Sequence, residues 1–201
     1  MRPPKVLCIA GGSGAGKSTL AAGLVATLHD RVSVLALDEY QRPKDQVPLT
    51  PSGRRNYDHP DAVDFFRFVG DLLALRAGRD VTLTRRHKSR TMDEGVSDAG
   101  TFTVASRPLV IVEGYLALWH PDALAQYDLK VFLDAPDALR LDRRLWAKDP
   151  QYVAEVLMPM HAQFIEPTKR HADLVIDVSR RTRAEVLALA FKEIDERKLL
   201  H

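Results

Sequence analysis

The sequence predicts a three-layer α/β domain: a five-stranded parallel sheet covered on both faces by helices, with a small accessory hairpin at about 81–104. Three observations carry this. Five short runs, at 6–10, 32–37, 109–112, 129–133 and 174–178, are apolar at nearly every position. A strand with one wet face alternates polar and apolar residues, so an unbroken apolar run belongs to a sheet covered on both sides. Helical patterns fall between and after the runs, at 17–29, 62–76, 137–146 and 184–197, and this alternation builds parallel sheets through right-handed crossovers. The third observation is the glycine-rich junction of the first run and the first helix, Gly11 to Thr19.

Taken in order, Val6-Leu7-Cys8-Ile9-Ala10 is a short buried strand, and Leu20, Leu24 and Leu28 recur at helical spacing after the glycines. Residues 48–60 hold Pro48, Pro51, Gly53 and Pro60 and read as an irregular loop. Val81-Thr82-Leu83-Thr84 and Thr101-Phe102-Thr103-Val104 alternate, as the arms of a half-exposed hairpin should. In the helix at 137–146, Arg140, Arg143 and Arg144 stand at i, i+3 and i+4 and so share a face. No repeat or low-complexity tract interrupts the pattern.

With 201 residues, 45% of them hydrophobic and 28% charged, the chain is expected to be one soluble domain spanning 1–201. A net charge of +2 gives no electrostatic reason to expect nucleic acid or a membrane as partner. No run approaches the roughly 20 apolar residues of a membrane span. Cys8 is the single cysteine, so no internal disulfide can form, which suits a reducing cytoplasm.

The glycine-rich junction fits G-x-x-x-x-G-K-[ST]. A strand that turns through Gly11, Gly12, Ser13, Gly14, Ala15 and Gly16 into a helix aims backbone N–H groups and the helix dipole at one point. Lys17 adds a charge for the β/γ-phosphates, and the Ser18 hydroxyl, beside Thr19, is placed to ligate Mg²⁺. The chain is expected to bind a nucleoside triphosphate.

Ligands of open α/β sheets gather at the carboxyl ends of the strands. Asp38 and Glu113 end two of the apolar runs, and either suits a magnesium-linked role or, more plainly, a cap on the following loop. Asp134 also ends a run, but Pro136 favours a turn or cap there. Asn56-Tyr57-Asp58-His59-Pro60-Asp61 packs polar, aromatic and acidic groups before a helix, where Asp58 or Asp61 is a natural cap. Arg85-Arg86-His87-Lys88-Ser89-Arg90 is either a solvated basic face or a row of charges facing phosphates. The three arginines of the 137–146 helix suit the spread charge of a phosphoryl-transfer transition state, or else pair with Asp137 and Asp142.

At this point the chain resembles the uridine kinase (uridine–cytidine kinase) family of P-loop nucleoside kinases. The resemblance runs through Gly11–Thr19, Leu37-Asp38-Glu39-Tyr40, Asn56 to Ala62, Val112-Glu113-Gly114, Arg143-Arg144, and Pro159-Met160 through Glu166-Pro167-Thr168-Lys169 to Asp173. It implies a three-layer P-loop nucleoside-kinase fold and transfer of the γ-phosphoryl of ATP, with GTP an open alternative, to a ribonucleoside 5′-hydroxyl with Mg²⁺. It further implies that Asp38 accepts the hydroxyl proton, that Asp58 binds ribose hydroxyls with Tyr57 beside it, and that Glu113 serves the magnesium site with Ser18. Arg143 and Arg144 would contact substrate from the lid, and His87 would be the retained base-side histidine. Assembly of identical chains is common among such kinases and is expected only by that analogy.

Two departures stand out. Where the family frames the pyrimidine with aromatics, Leu83 to Arg90 keeps a histidine and no aromatic. The arginine-rich lid is cut to a short stretch, about 145–156, in which it is more similar to nicotinamide riboside kinases. Phosphoryl transfer follows from the resemblance; pyrimidine specificity does not. Nicotinamide riboside or pantothenate remain alternative acceptors. A regulatory nucleotide-binding module is a further alternative, although the D-x-x-G and N-K-x-D runs of a GTPase-like switch are absent.

Overall fold

The register of the first strand explains where everything else can sit. In the computed structural model, which describes residues 3–84, 100–143 and 149–200, β1 (Lys5–Gly11) is the middle strand of the sheet. The others are β2 (Val32–Ala36), β3 (Val81–Thr84), β4 (Thr101–Val104), β5 (Leu109–Glu113), β6 (Leu129–Asp134) and β7 (Leu174–Asp177). The main sheet runs β2-β5-β1-β6-β7, parallel throughout. All five apolar runs of the sequence are strands of this sheet.

Period two along β1 divides the core. Val6, Cys8 and Ala10 face one side, with Phe68, Leu72 and Leu75 of helix α2 (Phe65–Arg76). The hairpin joins that side through Val81, Leu83 and Val104, while Thr82, Thr101 and Thr103 stay exposed. Leu7 and Ile9 face the other side, against Leu20, Ala21 and Leu24 of α1 (Lys17–Leu28). Val186, Ala190 and Ile194 of the C-terminal helix, Arg183–Glu196, complete that layer. Thr182 and Glu185 close a reciprocal capping box at its start.

Several boundaries differ from the sequence expectation, each for a local reason. The second strand ends at Ala36 because Leu37–Tyr40 forms a 3₁₀ turn that buries Leu37 and Tyr40 and leaves Asp38 exposed. Neither Asp58 nor Asp61 caps α2. The cap is Asp64, whose carboxylate accepts from the Arg67 N–H, after a separate turn at Pro60–Ala62. After the short helix α3 (Pro121–Leu124), helix α4 (Asp137–Asp142) gives way at Arg143, and the rest of the expected helix lies outside the described residues.

Of the expected lid, residues 149–156 are described. They open a helical run, 150–165, in which π turns at Val153–Leu157 and His161–Ile165 flank a short α segment holding Pro159. Proline lacks the N–H for an i→i−4 bond and its ring crowds the earlier carbonyl, so the winding there relaxes. No helix among the described residues is long and apolar enough to cross a membrane.

Candidate active site

Three sheet positions bring the candidate residues together. Ile9 pairs with Glu113 and Gly11 with Leu133, so the carboxyl ends of β1, β5 and β6 lie along one edge of the sheet. The glycine loop starts from β1 at this edge. Gly11, Gly14 and Gly16 have φ of 138°, 85° and 100°, which side-chain-bearing residues rarely adopt. Gly16 is the N-cap of α1 and supplies no side chain, so the first N–H groups of the helix face the loop interior without a capping oxygen. Lys17 arches back and donates from Nζ to the Gly12 carbonyl at 3.1 Å. Open helix N–H groups, left-handed glycines and a lysine over the loop fit a polyphosphate.

Gly12 and Gly14 also permit close packing. A Cβ on Gly14 would lie 2.4 Å from the Arg140 carbonyl oxygen, and one on Gly12 would lie 2.7 Å from Arg140 Nη1 and 2.9 Å from His161 Cε1. Arg140 is only 1% exposed, is ion-paired with Asp137, and donates to the Ser13 carbonyl at 3.4 Å. The shared arginine face is therefore split. Arg140 packs into the loop and Arg143 is exposed at the end of α4, while Arg144 lies outside the described residues. His161 is buried beside them, and its ionisation is pushed down by burial and then by the Arg140 charge.

On the other flank, Ser18 Oγ lies 3.3 Å from both carboxylate oxygens of Glu113. Burial pushes the Glu113 carboxyl up, Lys17 pulls it down, Asp38 pushes it up again and the Ser18 bond lowers it. A hydroxyl and a largely buried carboxylate are hard oxygen donors and fit Mg²⁺. Gly114 lets the chain pass tightly behind them, since a Cβ there would fall 2.5 Å from that of Leu37.

Asp58 is 8% exposed and accepts from the Tyr152 hydroxyl at 2.7 Å. The Tyr57 carbonyl accepts from the Tyr115 hydroxyl at 2.6 Å. Tyr115 ties the acids together: its hydroxyl is held well above the usual phenol range by burial, then by the charges of Asp58 and Asp38. Asn56 is buried against Met160, its Nδ2 3.2 Å from the sulfur. Asp61 is exposed and its N–H donates to His59 Nδ1. Asp134 accepts from Lys169 at 2.6 Å, so it anchors the Glu166–His171 turn. His87 and the basic cluster around it lie outside the described residues.

The structure thus brings the glycine loop, Lys17, Ser18, Glu113 and Asp38 to one edge, with Tyr57 and Asp58 beside Tyr115. Sequence reading passed over Tyr115, Tyr152 and His161. Only Tyr115 carried a local signal, as the residue after Glu113-Gly114.

Comparison with known proteins decides the lineage. The model of the phosphoribulokinase/uridine kinase family matches residues 6–185. The chain belongs to that family. It is 36% identical over 192 residues to a uridine kinase of Staphylococcus epidermidis, covering 88% of each chain. It is 33% identical over 190 residues to the uridine kinase of Lactobacillus helveticus, covering 88% of this chain and 87% of that one. In three dimensions it is similar to a possible uridine kinase from Bacillus stearothermophilus, with a TM-score of 0.59 at 24% identity over 88% of this chain and 90% of that one. A shikimate kinase from Acinetobacter baumannii, at 16% identity and a TM-score of 0.55 over 98% and 97% of the two chains, shares the fold. As a member of the phosphoribulokinase/uridine kinase family the chain is a P-loop phosphotransferase with a hydroxyl acceptor.

Proposed function

We propose that this kinase transfers the γ-phosphoryl group of ATP to the 5′-hydroxyl of a ribonucleoside, with uridine and cytidine as first candidates. The observation that carries this reading is the pair of acids around Tyr115, Asp38 exposed and Asp58 buried, beside the glycine loop. An exposed carboxylate suits a base that must meet a mobile hydroxyl; a buried one suits a fixed sugar ligand. Kinship with uridine kinases at 33–36% identity supports the same class of acceptor.

In this reading the loop N–H groups and Lys17 hold the β- and γ-phosphates, and Ser18 with Glu113 would hold Mg²⁺, which supplies charge neutralisation when bound. Asp58, with Tyr57 beside it, holds the ribose hydroxyls, and Asp38 accepts the proton of the 5′-hydroxyl. That oxygen bonds to the γ-phosphorus as the bridging P–O bond to the β-phosphate breaks, leaving ADP. Arg143 serves the same charge from the end of α4, with Arg144 and His87 assigned to substrate by resemblance alone.

The test is ADP release with Mg²⁺-ATP, or GDP release with GTP in its place, across uridine, cytidine, nicotinamide riboside, their 2′-deoxy counterparts, pantothenate and glycerate. A ribonucleoside is expected to be the productive acceptor, its deoxy form clearly worse. Turnover of pantothenate or glycerate alone would remove the nucleoside reading and leave the kinase. In the same assay Asp38→Asn is expected to lower kcat by about 10²–10⁴-fold, the span of a lost general base, with KM for ATP little changed.

A further inference from the structure

Outside the glycine loop and its acids, a heavily built polar contact among the described residues joins two segments nearly a hundred positions apart. Arg54 Nη1 bonds Asp149, Nη2 bonds Gln151, and Nε lies 3.9 Å from Glu155. Ser52 bonds Glu155 as well. Asp149 turns back to accept from the N–H groups of Gln151 and Tyr152 at 3.0 and 3.2 Å. Surface ion pairs of this kind add little stability one by one, but a network of them fixes geometry. Here it fixes the start of the helical run at Pro150 and presents the Tyr152 ring to the loop that carries Asp58.

We propose that Tyr152 is a positioning residue of the acceptor site, setting the orientation of the Asp58 carboxylate that receives the vicinal hydroxyls of the acceptor. This rests on the reading of Asp58 given above. A carboxylate 8% exposed must have donors, and the phenol supplies one at 2.7 Å. With that oxygen held, the carboxylate cannot rotate freely, so it meets a sugar in one orientation rather than several. Tyr152 also belongs to the same electrostatic neighbourhood as Tyr115, Asp58 and Asp38, the groups assigned above to the acceptor.

The conservative variant Tyr152→Phe keeps the ring and removes only the hydroxyl. Loss of one charge-assisted bond is expected to raise the acceptor KM by roughly 10–100-fold. kcat and the KM for ATP should stay within about threefold, and the preference for ribo- over 2′-deoxy acceptor should fall with the acceptor affinity. A merely structural tyrosine would instead lower the melting temperature and shift both KM values and kcat together; that pattern, or an unchanged acceptor KM, overturns the proposal. The acceptor used is whichever member of the panel the wild type phosphorylates. If that is no nucleoside, the nucleoside reading falls on the wild-type result alone. The Tyr152 proposal then stands or falls on the KM for that other acceptor.

Discussion

Glu113 sets two demands against each other. To serve a magnesium site it must be ionised, yet it sits where burial and the Asp38 charge push its carboxyl above the ordinary 4.5. A folded pKa raised above the unfolded one means the native state favours the proton. The stability this contributes is complete below the unfolded value and is lost as pH rises through the folded one. Glu113→Gln keeps the shape and the Ser18 contact while removing the charge. Without ligands it should therefore melt above wild type at pH 8, the difference closing as pH approaches 4. In the assay it should need at least about 10–100-fold more Mg²⁺, the loss already seen when only a partner of a metal ligand is altered, because the charge that would hold the ion with Ser18 is gone. Asp38→Asn should leave the magnesium dependence where it was, so equal metal titrations for the two variants would contradict the separate roles.

At the level of elements, the glycine loop and α4 are one packed unit. Gly12 has no left-handed torsion; its reason is the space filled by Arg140 and His161. Arg140 is pinned by Asp137 and the Ser13 carbonyl, so it cannot move aside for a methyl group. Gly12→Ala is expected to cost about 1–3 kcal/mol, the range for overpacking a closed site. Thermal melts and ATP-binding titrations should fall together; a variant with wild-type melting would show that the loop can yield. The glycine loop was legible because strand, glycines, Lys17 and helix are contiguous, and Asp38 and Glu113 because they sit at the ends of apolar runs. Helical spacing grouped Arg140 with Arg143 correctly in phase, but phase alone says nothing about which neighbour closes over one of them. The α2 cap was misplaced because Asp58, Asp61 and Asp64 are equal candidates until the Pro60 turn intervenes. Tyr152 could not be found at all: its partner is 94 positions away, and π turns follow it in the chain.

For the whole molecule the governing fact is that β1, earliest of the sheet's strands in chain order, is not enclosed until the C-terminal helix arrives. β1 pairs on one edge with β5 and on the other with β6, and its second face is finished by the C-terminal helix at Arg183–Glu196. On the ribosome, β1 must wait while about 100 further residues are added before β5 exists, roughly 5–20 s at ordinary synthesis rates. Through that interval Val6, Leu7, Cys8 and Ile9 form a bare apolar strand with unpaired edges, the kind of segment that sticks to other chains. Stalled nascent chains should stay open to mild proteolysis until residues 183–196 have emerged, then become resistant in one step. Protection rising gradually from the emergence of β2 would contradict this. The strand that carries the glycine loop thus belongs to a polypeptide that has to be shielded while it is being born.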